Sequence, residues 1–578
     1  MQAINIIGAG LAGLSAAMTL AEHGVSCNLI SVLQSERAQS VLAEGGINAA
    51  LNTMGEEDDA SEHFADTMAG GVWLSDPNAV RNLTGHAPDL VRKLARLGVP
   101  FHIEDGHIIQ RNFGGQKKKR TAYAKSSTGK VLVSALIDEV RKYEAAGLVK
   151  RYPHHEFIRL LLDEDTVAAM DGSAFASAAN SRDKRCAGVR IRDTFSGEVF
   201  DFPGSVILAS GGMNGVFPEM TTGTVANSGD VTATVFSQGV LLSNLEMLQY
   251  HPTTIGIAGK RCLVTEAARG EGGRLFIRRN GEPWYFMEEK YPELKNLMPR
   301  DVVSREIFFV SHREDCDGQV WLDMTGLPED TWERKLSDLR EEIMHYLPID
   351  PKVDPIPVEP GIHYFMGGIA TNVHHQTNIR NLYAAGECTS QYHGANRLGG
   401  NSLLGAVFGG KTAAENLLFG WIEPETPEAG IPLTDEQILA LSKDAGQARA
   451  DSDCDIRRLT EEELASEVLL EEATPAFIYQ MRDVLLSGMG IVRNEETLEK
   501  TLEVLFDMKD TVSNQREAQR YRLAEAMLRS AMMRKESRGA HYREDYPKRE
   551  EAYRKTLLAG YKDGEITLSF RDLPELKD

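Results

Sequence analysis

Cysteine is scarce, with six in 578 residues (Cys27, Cys186, Cys262, Cys316, Cys388 and Cys454) and no CxxC or CxxCH spacing. That distribution excludes iron–sulfur ligation by the familiar motifs, c-type haem attachment and a disulfide framework, and it reads as intracellular thiol usage. Positive charge is short as well. Lys and Arg number 63 against 85 Asp and Glu, a net charge of −22. Such a balance disfavours non-specific binding to nucleic acid or anionic membrane, while permitting a local basic site for an acidic substrate. Internal repeats and low-complexity tracts are missing. The stretch Ala3–Ala21 carries no charge and approaches the length of a membrane span. It lacks a basic n-region or twin-arginine signal, and its glycines fall at a spacing lipid would not require, so it is read as a buried strand, turn and helix of a soluble chain. What remains is ordinary: 42% hydrophobic and 26% charged residues, enough for three to five domains or one large cofactor domain with insertions.

The first elements carry a specific signal. An apolar strand (Ala3–Ile7) runs into Gly8-Ala9-Gly10-Leu11-Ala12-Gly13, a helical run follows to His23-Gly24, and a second apolar strand spans Val25–Val32. This βαβ context turns GxGxxG into a dinucleotide-binding fingerprint. Gly8 permits the tight turn, Gly10 lets backbone approach a pyrophosphate, Gly13 lets helix pack on strand, and the helix N-terminus offers N–H donors. The second strand ends in Ser31-Val32, without the acidic residue that usually holds an adenine ribose. Two more apolar strands, Ser205–Ala209 before Ser210-Gly211-Gly212 and Asn381–Ala385 before Gly386-Glu387, are expected to join the same sheet and end at the cofactor. Between them, residues 241–366 are mixed and rich in His, Arg and Pro, as in an inserted domain. From about Pro424 the chain turns acidic and helical (Thr460–Glu472, Glu495–Ala531), and the tail beyond Tyr542 is short and charged. The basic run Lys117–Arg120 is expected to be a solvated loop.

Further strings follow in series: Ala43-Glu44-Gly45-Gly46; Gln249-Tyr250-His251-Pro252-Thr253; Thr265-Glu266-Ala267-Ala268-Arg269-Gly270-Glu271-Gly272-Gly273; Pro299-Arg300-Asp301; His363-Tyr364-Phe365-Met366-Gly367-Gly368; Gly386-Glu387-Cys388; His393 to Leu404 (HGANRLGGNSLL); and Arg534 to His541 (RKESRGAH). With GAGLAG before them, they make the chain resemble the flavoprotein subunit of the succinate dehydrogenase/fumarate reductase family from Gly8 to about Arg543.

The resemblance implies an α/β fold: a Rossmann-type FAD-binding domain (1–240 and 367–422), an inserted α+β capping domain (241–366), a helical domain (423–541) and a C-terminal segment (542–578). It implies FAD held by Gly8, Gly10, Ala12, Gly13, Ser31 and Ser40, by Glu44, Gly45 and Gly46, by Ala209, Ser210, Gly211 and Asp230, and by Tyr364, Glu387, Arg397, Ser402 and Leu403. No metal site is implied. A dicarboxylate needs strong donors at two ends: Arg397 and His363 would hold one carboxylate, His251 and Thr265 the other. Phe113, in Asn112-Phe113-Gly114-Gly115, would pack on the substrate and help twist it out of conjugation. The hydride would come from flavin N5 and the proton from Arg300, relayed through Glu266 and Arg269. Arginine is a poor acid, its pKa lying above about 12, so the two transfers must be coupled.

The chain departs from the pattern at one informative place. Relatives coupled to quinones attach FAD through a histidine, and here Arg37-Ala38-Gln39-Ser40 puts Gln39 in that position. An amide cannot form the 8α-histidyl bond, so FAD is expected to be non-covalent and of lower potential, favouring fumarate reduction over succinate oxidation. Glu44, where dehydrogenases tend to carry Gln, points the same way, because a carboxylate near the flavin stabilises its oxidised form. The chain has no haem, iron–sulfur or second-flavin motif of its own. The resemblance therefore implies an iron–sulfur partner subunit, with any membrane anchor being another chain, and a cytoplasmic location, at most on the cytoplasmic membrane face through partners. L-Aspartate oxidase is the nearest alternative, but it tends to have Ala-Gln-Gly-Gly and Asn-Arg-Met-Ala-Ser-Asn where this chain has Ala43–Gly46 and Asn396–Asn401, and no clear ammonium partner stands in Arg120–Lys130. A reductase of another unsaturated carboxylate and an inactive FAD-bearing scaffold are the others.

Overall fold

The computed structural model describes residues 3–124, 127–163, 184–423, 426–444, 456–466 and 471–577. Ile4–Ile7 is apolar but for Asn5 and buried on both faces, the signature of a central parallel strand. Asn5 is tolerated because its amide donates to the Phe202 and Pro203 carbonyls and its oxygen accepts from Asn28. Parallel pairing builds a five-stranded sheet in the order Leu382–Ala384, Val206–Leu208, Ile4–Ile7, Cys27–Ser31, Val149–Pro153. The predicted strands all lie in it or end at it, and Ala3–Ala21 is indeed strand, turn and helix (Leu11–Glu22). Among the described residues no helix is long and apolar enough to cross a membrane. An antiparallel sheet of His155–Asp163, Arg185–Asp193, Val199–Pro203 and Arg457–Arg458 adjoins it.

Residues 248–365 form a separate antiparallel sheet of six strands, in the order Lys260–Leu263, Leu248–Ile257, Ile356–Phe365, Cys316–Asp323, Arg274–Arg279, Glu282–Trp284. The helices Arg300–Ser311 and Ser337–Tyr346 share its own apolar core around Val264, Leu275, Val303, Leu322 and Ile343. Because the strands Leu248–Ile257 and Ile356–Phe365 begin and end this unit, His251 and His363 are carried on adjacent strands.

Three stretches carry more structure than the sequence reading specified. Glu495–Ala531 is two helices, Glu495–Asp507 and Gln515–Met533, because Asn514 caps a new one by accepting from the Glu517 N–H. Among the described residues of Thr460–Glu472, Glu461–Ser466 is helical; residues 467–470 lie outside the described residues, as does Cys454. The charged tail is a β-hairpin, Lys555–Lys562 with Glu565–Asp572, turned by Asp563 (φ 52°) and Gly564 (φ 89°), an Asp-Gly pair suited to a two-residue turn. It pairs with Leu242–Ser243, which also pairs with Gly368–Ile369, so it grips the chain on both sides of the inserted sheet.

Candidate active site

An elongated cavity, partly open to solvent, runs from the first βα turn to the inserted sheet. Lined from Gly8 at one end to Arg300 at the other, it suits a dinucleotide with a small substrate beyond it. At one end, Gly8 has φ 112°, and a Cβ there would lie 2.1 Å from the Ala209 carbonyl oxygen. Gly10 caps the helix Leu11–Glu22, whose first N–H donates to Ser40 Oγ at 3.2 Å. Ser31, Glu44–Gly46, Ala209–Gly211, Asp230 and Ala12 line the wall. Gly13 does not: a Cβ there would stand 1.8 Å from the Gly8 carbonyl oxygen, so its work is the helix–strand contact. Asp230 is already paired with Arg520 at 2.6 Å and receives the Ser228 hydroxyl, which ties this wall to the helix Gln515–Met533. A second helix, Asn401–Phe419, also aims its N-terminus at the cavity through Ser402 and Leu403, after Gly400 at φ 83°. Tyr364, Glu387 and Arg397 complete this stretch.

The far end collects Phe113, His251, Thr265, Glu266, Arg300, His363 and Arg397. The two imidazole rings lie 5.1 Å apart by centroids. Burial, then Arg300, holds both well below their ordinary pKa, so they are neutral rings with one N–H each. His251 Nε2 is buried without a partner, a polar atom awaiting a ligand. Arg397 lies 4.4 Å over the Tyr364 ring, and burial followed by Arg300 pushes it down to about 9. Arg300 stands at the start of the helix Arg300–Ser311 and donates through Nε to Glu266 Oε2 at 2.9 Å. Arg269 sits behind Glu266, outside the cavity lining, 3.3 Å from Oε1 and donating to the Asn296 carbonyl. Burial alone would raise the Glu266 carboxyl, but Arg300 and Arg269 outweigh it and hold it below the ordinary range. Phe113 fits because Gly45 and Gly399 lack side chains: a Cβ at either would come within 3.0 and 2.7 Å of its ring.

Several contributors went unnoticed in the sequence. Gln249, fully buried, donates to the Arg397 carbonyl and to Asn396 and accepts from Arg300 at 3.4 Å, so it joins the two cavity arginines. Its place beside His251-Pro252-Thr253 was the available signal. Thr222 and Thr224 line the wall from a loop with no motif. Arg120 corrects the solvated-loop expectation: it is fully buried, 2.9 Å from both Asp58 and Asp66, while Lys117 and Lys119 are solvated. An Arg between two buried carboxylates has exchanged water for ion pairing.

The cavity fits FAD on its own terms: glycines where backbone must approach, two helix N-termini, and orphaned polar atoms at Ser210 Oγ and Glu44 Oε2. A model of FAD binding domains matches residues 4–403 and one of the fumarate reductase flavoprotein C-terminus matches residues 516–575. The chain is 34% identical to the succinate dehydrogenase flavoprotein subunit of Bacillus subtilis, over 96% of this chain and 93% of that one. The chain belongs to the succinate dehydrogenase/fumarate reductase flavoprotein family. It is an FAD-dependent oxidoreductase of that family. A fumarate reductase (CoM/CoB) chain of Methanothermobacter marburgensis is 33% identical, with 97% of each chain covered. Among solved structures, an E. coli quinol fumarate reductase chain, FrdA, superposes with a TM-score of 0.79 at 29% identity, covering 99% of this family member and 97% of that chain. Adenylylsulfate reductase from Archaeoglobus fulgidus (TM-score 0.68, 16% identity, 100% and 96% covered) shares the fold.

Proposed function

We propose that the chain is the catalytic flavoprotein of a fumarate reductase, reducing fumarate to succinate with electrons delivered by an iron–sulfur partner subunit. The observation that carries this reading is the far end of the cavity, where two neutral imidazoles, Thr265 and Arg397 surround a space bordered by Arg300 and Glu266. Arg269, Arg300 and Arg397 outnumber Glu266 there, a surplus of positive charge that a dianion would neutralise. One carboxylate would be held by Arg397 and His363, the other by His251 and Thr265, with Phe113 against the carbon chain. When bound, FAD supplies a hydride at this end. Arg300 supplies the proton that completes the saturated C–C bond. Glu266 is kept ionised by Arg300 and Arg269; once Arg300 gives up its proton, part of that restraint is gone, and the carboxylate takes a proton from Arg269, 3.3 Å away, and passes it to the Arg300 guanidine, Arg269 then being recharged from outside the site.

FAD is held without a covalent link in this reading. Gln39 lines the cavity and its side-chain oxygen accepts from the Thr224 N–H at 2.5 Å. Burial, and then Glu342, raise the Glu44 carboxyl well above the ordinary range, which favours its neutral form and weakens its field on the flavin. The absence of the covalent bond therefore carries the bias toward reduction. The test is anaerobic oxidation of reduced viologen by fumarate, beside peroxide formation from aspartate in air, by the purified holoprotein with its co-eluting subunits. Fumarate-dependent oxidation is expected; aspartate-dependent peroxide without fumarate reduction would assign the site to aspartate oxidation.

A further inference from the structure

The two histidines at the substrate end are oriented by different groups. His251 Nδ1 faces only its neighbour Thr253, whose N–H lies at 3.3 Å and whose carbonyl oxygen lies at 3.1 Å. A donor and an acceptor at similar range do not select a tautomer. His363 Nδ1 has one partner, the hydroxyl of Thr222 at 2.7 Å. The placement is fixed by backbone: the Thr222 N–H donates to the Ile362 carbonyl at 2.9 Å, and the Ile362 N–H to that of Met220 at 3.0 Å. Asn214 adds a clasp, donating to Thr221 Oγ1 and to the His363 carbonyl. Two residues on, the same loop gives the Thr224 N–H to Gln39.

We propose that Thr222 is a positioning residue: its hydroxyl, able to give or take a hydrogen bond, supplies the donor that Nδ1 of His363 needs once the ring proton is on Nε2, facing the substrate carboxylate. The inference rests on the dicarboxylate reading above. A neutral imidazole has one N–H and one lone pair. With the proton on Nδ1, Nε2 would aim a lone pair at an anion; with the proton on Nε2, the ring becomes a donor beside Arg397 and Nδ1 needs a donor of its own. Protonating both nitrogens is opposed by burial and by Arg300 and Arg397, so the tautomer, not the charge, is the adjustable quantity. Gln39 acts one step further out, by fixing the loop that carries Thr222.

The test compares Thr222→Val, which keeps shape and loses the donor, with Thr222→Ser, which keeps it, in holoprotein of matched FAD content and melting temperature. Thr222→Val is expected to raise the fumarate KM about tenfold or more, the scale of leaving a buried partner unpaired, with a smaller fall in kcat; Thr222→Ser should restore the KM. Independently, 15N spectra of histidine-labelled holoprotein, with His363 assigned by difference from His363→Gln, should show Nε2–H in the presence of malonate and a mixed or Nδ1–H ring in Thr222→Val. A valine variant with unchanged KM and unchanged tautomer would overturn the role of Thr222. A parent protein that neither reduces fumarate nor binds malonate would overturn the dicarboxylate reading; the ring's tautomer without ligand would still decide whether Thr222 sets it.

Discussion

Glu266→Gln isolates the charge at the centre of the site. The carboxylate is buried among guanidinium groups, with Arg300 Nε at 2.9 Å and Arg269 at 3.3 Å. With charge centres roughly 4 Å apart and an effective dielectric near 20, each pair is worth about 4 kcal/mol of attraction. The amide avoids the desolvation penalty of the carboxylate, which returns part of that sum, and breaking one side of a buried pair costs about 3–5 kcal/mol net. The amide also cannot take up and return a proton. General acid–base function of this kind contributes about 10²–10⁴ in rate, or roughly 2.7–5.4 kcal/mol of barrier. The variant is therefore expected to bind FAD, to unfold at lower urea than the parent, and to oxidise reduced viologen with fumarate at least about a hundredfold more slowly. If its kcat stays within about tenfold of the parent's, proton return through Glu266 is refuted. If stability is unchanged, the charges of Arg269 and Arg300 are balanced elsewhere.

Acid precipitation of the holoprotein should leave the yellow colour in the supernatant, since Gln39 offers no bond to the flavin; colour retained in the pellet would contradict this. Gly13→Ala, whose Cβ would meet the Gly8 carbonyl oxygen at 1.8 Å, should abolish FAD retention or folding. Gly85→Ala, within the helix Pro77–Arg96 with nothing inside 4 Å, should raise the melting temperature, by up to about 1 kcal/mol of stability; equal behaviour of the two would refute the packing argument. Burial pushes the Glu387 carboxyl up to about 7 from 4.5. The unfolded chain releases this proton more readily, so the flavin-free protein should lose stability as pH rises from about 4.5 to about 7 and level off beyond. Urea midpoints across that range measure the slope, and Glu387→Gln should flatten it; parallel slopes would remove Glu387 as the cause.

Local sequence determined the elements whose chemistry is local. The βαβ opening is readable because the turn needs a glycine with φ 112° at Gly8 and a Cβ-free contact at Gly13, and no other residue type meets those demands. The Asp563-Gly564 turn was equally local, although the charged composition around it concealed the hairpin. Arg120 was read by its neighbours, three lysines in a row, when its state is set by Asp58 and Asp66, about sixty positions earlier in the chain. Thr222 carries no motif, and Gln249 stood in its string without a role, because a hydroxyl or amide becomes a positioning group only when folding brings an imidazole or guanidinium to it.

The motif series thus determined which reactive side chains the chain possesses, because each string is dictated by backbone constraints over a few residues. Tertiary structure alone decided which of them meet. It set His251 and His363 on neighbouring antiparallel strands, brought Arg300 in on a helix and Arg397 in ahead of another, and withdrew Arg269 behind Glu266. It also decided their charge states, since desolvation and Coulomb terms depend on through-space distance and burial, which no local stretch of sequence contains.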